Sequence, residues 1–185
     1  MGAFAVFGFY YKGKYYICEH PCSSYPSNFG QYLVGELLKA DFDEWAKLLD
    51  NIKEVFYDVP PTPEDIKKLE EYTHLPSYKK AYDWDSLLAG TKGSFKRILE
   101  SGYIINIAHL PSHDDYIYIL DLDNKEFRCK GEGVDVVRTL ERRELNKLAK
   151  EWTWGYSSGG DSSGDSDSEY PLDGLEEEEE EEAEL

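Results

Sequence analysis

The stretch Ala3-Phe-Ala-Val-Phe-Gly-Phe-Tyr-Tyr-Lys-Gly-Lys-Tyr-Tyr-Ile-Cys-Glu19 decides how the rest of the chain is read. Aromatic and β-branched residues dominate both halves, Ala3 to Tyr11 and Lys14 to Glu19, and such residues fit a pleated, half-buried surface. Lys12-Gly13 between them has the length of a two-residue hairpin loop, with glycine where the turn needs a positive φ. Apolar residues fall on both parities of the first strand (Phe4 and Val6; Ala5, Phe7 and Phe9), so that strand is expected to be central and covered on both faces.

Downstream, the period changes from two to 3.6. Ser23 to Asn28 reads as a turn, with Pro26 and two candidate caps, Ser27 and Asn28. Phe29, Leu33, Leu37 and Leu38 then take helical spacing. Asp41-x-x-Glu44 opens a second helix whose stripe is Trp45, Leu48, Leu49, Ile52 and Phe56, stopped by Pro60-Pro61. Thr62-Pro63 opens a third, through Glu64 to His74. Asp83 or Asp85 caps a short turn around Leu87-Leu88, and Ser94 to Ser101 is helical, closed by Gly102. Strands are expected at Tyr103 to His109, Tyr116 to Leu122 and Glu126 to Lys130, with Asp123-Asn124-Lys125 as a hairpin turn. A last helix runs from Glu141 to Trp152. The order implies an α+β fold: an antiparallel sheet of about five strands, an N-terminal hairpin plus a later three-stranded meander, with helices packed on it.

Charge divides the chain at Tyr156. Residues 157–185 hold 13 of the 38 acidic residues, including the unbroken run Glu176 to Glu182, and no lysine or arginine. Met1 to Tyr156 keep 25 acids against 20 basic residues, a formal charge of −5. Low apolar content and high net charge leave 157–185 unable to offset ordering entropy, so a disordered acidic tail is expected after a single globular domain, 1–156. Ser157 to Gly164 has a flexible-linker composition. Ser158, Ser162 and Ser166 each have an acid three residues on, the pattern acid-directed kinases favour.

Three cysteines, Cys18, Cys22 and Cys129, are too few and too odd for a disulfide scaffold. No apolar run approaches a membrane span, and no basic n-region opens the chain, so an intracellular protein, cytoplasmic or nuclear, is expected. A basic nucleic-acid footprint is absent, and no cofactor motif is found.

Chemistry-bearing residues are sparse. Cys18-x-His20-x-Cys22 would place three metal-ligating side chains on one face if its strand continued, although Pro21 interrupts it and the usual C-x₂-C spacing is missing. Asp121-x-Asp123-Asn124 departs from a calcium loop at Lys125 and Glu126 and reads as turn chemistry. His109, His113, Asp114 and Asp115 share a loop, where a histidine beside carboxylates has the makings of a general base. Removing Met1 exposes Gly2, which has no side-chain nucleophile.

Tyr11-Lys-Gly-Lys-Tyr-Tyr16, followed by Ser24-Tyr-Pro-Ser-Asn-Phe-Gly30, resembles an uncharacterised family of fungi, bacteria, phages and large DNA viruses. Its members open with a Met-Gly strand and a Tyr-Lys-Gly-Lys-Tyr-Tyr type hairpin, then an Asn-His-Phe-Asp-Ser-Tyr-Pro-x-Gly-Leu-Gly type segment. Tyr116 to Asn124 and Glu126 to Gly131 are similar to its later hairpin. The resemblance implies a shared fold and carries over Ser24, Tyr25 and Gly30. The family's Asn-His-x-Asp falls here on His20, Pro21, Cys22 and Ser23, so neither its histidine nor its aspartate keeps its place.

Two functions follow as expectations. One is a non-catalytic interaction domain whose acidic tail binds basic protein partners. The other is a divergent hydrolase or nucleotide-processing enzyme with its site near residues 18–24 and 109–115, drawing on His20, Cys22, His109 and His113.

Overall fold

The computed structural model describes residues 2–73, 83–107 and 116–154, and of Trp154 the backbone alone. Strands β1 (Ala5–Tyr11) and β2 (Lys14–His20) form the expected hairpin. Lys12 (φ 50°) and Gly13 (φ 73°) both occupy the left-handed region, the geometry whose twist matches the strands it joins. Their backbone N–H groups donate to the Asp123 carboxylate at 2.8 and 2.9 Å, so a distant side chain holds the turn.

Five strands make the main sheet in the order β2-β1-β5-β6-β7, with β5 at Tyr116–Asp121, β6 at Glu126–Gly131 and β7 at Val134–Thr139. The fold is α+β, as the sequence implies, and β1 is central. Two details differ from the expectation. First, β1 pairs with β5 in parallel, Ala5 opposite Tyr116 through Tyr10 opposite Asp121, so the sheet is mixed. A hundred residues of intervening chain return β5 beside β1, and a crossover of that length permits the parallel direction. Second, the meander is β5-β6-β7, antiparallel throughout. The Tyr103 segment is instead a short strand, β4 (Tyr103–Ile105), which pairs in parallel with β3 (Lys53–Val55) in a separate two-stranded sheet. Beyond it, Ile107 N–H donates to Ile17 O, tying that segment to the outer edge of β2.

Helices cover the sheet face carrying Ala5, Phe7, Phe9, Tyr118, Leu120, Phe127 and Cys129. They are α1 (Gln31–Leu37), α2 (Phe42–Leu49), α5 (Phe95–Ser101) and α6 (Arg142–Trp154), which insert Leu33, Leu37, Trp45, Leu49, Phe95, Ile98, Leu145, Leu148 and Trp152 into one core. A second cluster joins Val55 and Tyr103 to Leu69, Trp84, Leu87 and Leu88, using α3 (Pro63–Lys68) and α4 (Trp84–Leu87). Local signals hold at later helix ends, but neither Ser27 nor Asn28 caps α1, which continues from the turn at Pro26–Gly30 with no side-chain cap. Asp41, Thr62, Asp83 and Ser94 cap through their side chains, and Gly102 (φ 71°) closes α5. The second helix is shorter than its stripe suggests. It ends at Leu49, because Lys53 N–H is claimed by Gly102 O and Lys53–Val55 by β4, which leaves Phe56 exposed. Among the described residues, no helix is long and apolar enough to cross a membrane.

Candidate functional site

The corner that contains the Cys18–Ser24 segment is built by the end of β2. His20 is the last residue of that strand and lies opposite Ala5, while Cys18 lies opposite Phe7, so both share the helix-covered face. There the strand stops. Ser23 adopts a left-handed φ of 54°, and this single turn swings Ser24 back beneath the imidazole. Ser24 N–H donates to Ala3 O at 3.2 Å, and Tyr118 Oη donates to Ser24 O at 2.7 Å. Pro26 then opens one turn of π-helix, Pro26–Gly30, which leads directly into α1.

His20 Nδ1 lies 2.8 Å from Ser24 Oγ. The same hydroxyl is within 3.3 Å of His20 O and 3.4 Å of Cys22 O. With Nδ1 protonated, Oγ accepts from the ring and gives its own hydrogen to one of those carbonyls; with Nδ1 bare, Oγ donates to the ring. The imidazole is stacked flat on Phe29, ring centroids 3.8 Å apart and 1° from parallel, with Phe7 at its edge. Gly93 closes the other approach: a β-carbon there would sit 3.3 Å from Cδ2 and Nε2. Burial pushes the His20 pKa down to about 4, so the ring is neutral at pH 7.

These features set what the pair can do. A serine nucleophile needs an accessible hydroxyl, a base that gains a proton and a group that stabilises the resulting imidazolium. Ser24 is fully buried, burial opposes protonation of His20, and among the described residues Ser24 is its only hydrogen-bond partner. The geometry locks a chain reversal.

Cys18 donates weakly to Phe7 O at 3.7 Å, and burial raises its thiol pKa well above the usual range, against a smaller opposing pull from Lys92. It sits at the base of a crevice of about 20 Å³ shared with Glu19, Tyr57, Thr91 and Lys92, room for about one water. Cys22 is exposed, and Cys129 is buried beside Tyr118 with its thiol pushed up to about 12 by burial. Among the described residues, no three His, Cys, Asp or Glu side chains are placed to hold a metal ion. His109 and His113 lie outside the described residues.

Three polar knots lie elsewhere in the fold, and the first two escaped the sequence reading. Asp65 accepts from Lys53 Nζ (2.7 Å), Thr62 N (3.0 Å), Thr62 Oγ1 (2.7 Å) and Tyr103 Oη (2.9 Å). Its burial favours the neutral acid, and these donors overcome that effect and hold the carboxyl well below its ordinary range. Glu36, half-buried on α1, accepts from Ser94 Oγ and, at 2.8 Å, from Phe95 N at the start of α5. Burial still leaves its pKa raised. Asp121 accepts from Asn124 N and Nδ2 and pairs with Arg128 at 2.8 Å, which bears out the turn reading of that loop. All three join elements distant in sequence or brace a turn, and periodicity carries no signal for the long-range partners.

The chain matches no protein-family model, no curated protein and no solved structure.

Proposed function

We propose that this chain is a non-catalytic interaction protein, in which an α+β domain carries an acidic segment, 157–185, that binds lysine- and arginine-rich protein partners. The observation that carries the reading is the segregation of charge: 13 acids and no basic residue in 157–185, against a formal −5 for everything before it. Such a polyanion attracts basic segments over about a Debye length, roughly 8–10 Å at physiological salt. Phosphorylation at Ser158, Ser162 or Ser166 would add roughly −1.5 to −2 each and strengthen the attraction. The burial of Ser24 and the low pKa of His20 support the reading, since the corner offers neither an accessible hydroxyl nor a protonated imidazole, and its exposed thiol, Cys22, has no base placed beside it among the described residues. Affinity capture with the full chain and with residues 1–156 tests it. Basic proteins should be retained by the full chain alone, and an unchanged set of partners would remove the acidic segment from the account.

One observation favours a second reading, a divergent hydrolase or nucleotide-processing enzyme centred on this corner and on residues 109–115: the 2.8 Å contact between His20 and Ser24. A serine-directed fluorophosphonate probe separates the two. The first reading expects no adduct at Ser24; labelling that disappears in His20→Ala would establish the second.

A further inference from the structure

The counter-charge nearest in sequence to the acidic segment stands on α6. Arg142, Arg143, Lys147 and Lys150 are all exposed on this helix. Leu145, Leu148 and Trp152 define its buried side. At 3.6 residues per turn, Arg143, Lys147 and Lys150 follow one another at i, i+4 and i+7 on the opposite side, a basic stripe about 10 Å long. Elsewhere half of the described basic side chains are matched, among them Lys12 with Asp50, Lys14 with Glu54, Lys53 with Asp65, Lys92 with Asp85, and Arg138 with Glu151, and the unmatched ones do not line up as a stripe on one long helix. The last of these pairs also removes the α6 carboxylate nearest the stripe's C-terminal end. Glu144, half-buried at the stripe's margin, is the other acid in this part of the helix. Among the described residues, none of the four basic side chains forms an ion pair.

We infer that the acidic run Glu176–Glu182 of the same chain docks on the Arg143–Lys147–Lys150 stripe and is displaced from it when a basic partner binds. Reach permits this. The run begins 22 residues after Trp154, and a Gly/Ser-rich chain of that length has a root-mean-square span of roughly 25 Å, longer than the stripe. Tethering places the acids near the helix at an effective concentration on the order of millimolar, so a weak charge–charge contact suffices. No other segment offers a comparable anion: seven consecutive glutamates face three aligned cations. The inference rests on the interaction reading for its biological sense, since it makes the stripe an internal competitor for the segment that recruits partners. A partner must then displace the intramolecular contact, and its apparent affinity falls by the fraction of chains already closed.

The test compares three full-length proteins by amide NMR: the natural chain, one with Glu176–Glu182 each changed to Gln, and Arg143→Gln/Lys147→Gln/Lys150→Gln. At about 20 mM salt the first two should differ at amides 142–150. That difference should vanish at about 500 mM, where the Debye length is a few ångströms. The stripe variant should reproduce it from the other side, with shifts in the glutamate run. Differences that are absent, or spread evenly over lysines elsewhere in the domain, overturn the inference. Titration with a lysine-rich peptide then separates it from the partner reading. The stripe variant should bind the peptide on the order of threefold or more tightly than the natural chain, because the competitor is gone. Shifts confined to α6 with no peptide binding by either protein sustain the docking and sink the partner reading. Equal peptide binding with no shifts on α6 does the reverse.

Discussion

The His20 corner and the C-terminal end of the chain handle polar groups in opposite ways. At the corner, the polar groups are neutral and paired within the fold: His20 Nδ1 with Ser24 Oγ and Ser24 O with Tyr118, while Phe29 covers the ring face. At the end, four exposed cations on α6 stand unpaired among the described residues and are followed in sequence by 13 acids. Burial with full satisfaction gives rigidity and closes a site to substrates; unneutralised surface charge gives little stability and leaves free energy for association. The difference teaches where to look for function: in this chain, at the surface charge.

Breaking the corner by volume should have the largest effect. Gly30 lies where a β-carbon would come within 2.7 Å of Trp152 Cζ3 and 3.0 Å of Tyr118 Cε1. Gly30→Val forces α1 and α6 apart and should cost about 1–3 kcal/mol in denaturant unfolding, by overpacking. Breaking the corner chemically should cost less. Ser24→Ala leaves His20 Nδ1 without its partner and should destabilise by about 1–2 kcal/mol, with the core packing of Phe7 and Phe29 retained.

The corner should also report pH. In the unfolded chain the histidine has its usual pKa near 6.5, and in the fold about 4. Between those values the unfolded state binds the extra proton, so stability from the neutral ring is complete above about 6.5 and is lost as pH falls toward 4. His20→Gln should flatten that part of a Tm-against-pH curve. Asp65 supplies the contrast. Its depressed carboxyl contributes stability that is present above about 3.8 and lost only below it, so the acid limb should survive in His20→Gln and weaken in Asp65→Asn. At the charged end, Lys147→Gln should move stability by less than about 0.5 kcal/mol, the ordinary effect of a surface change.

How much of this was legible in the sequence depended on range. The Asp41, Thr62 and Asp83 caps and the Gly102 stop rest on interactions within a few residues and were readable, as was the position of the Lys12-Gly13 turn, though not the Asp123 carboxylate that holds it. So was the α+β class, from the change of period. The parallel partnership of β1 with β5 was not, because nothing within either strand specifies which distant strand it meets or in which direction. Nor was β7: its exposure alternates only between half-buried and exposed, so none of the side chains of Val134-Asp-Val-Val-Arg-Thr139 marks a core face. The stripe through Ile52 and Phe56 overran α2 because helical spacing continued while tertiary pairing took Lys53–Val55 away. At the corner, Cys18, His20 and Cys22 drew attention by spacing. The partner that matters, Ser24, is brought to His20 only by the left-handed turn at Ser23, a conformation serine does not advertise. The charge of 157–185, by contrast, is a compositional property and was visible at once.

The most direct test of the central claim, that association through the acidic segment is what this chain does, is calorimetric titration of the full chain with a lysine-rich peptide. The natural protein is run beside the variant with Glu176–Glu182 each changed to Gln. The account predicts binding by the natural protein that weakens at least tenfold between about 50 and 500 mM salt, and weakens comparably in the variant, as expected for contacts between exposed charges. Equal affinity in the two proteins, or binding indifferent to salt, would contradict it.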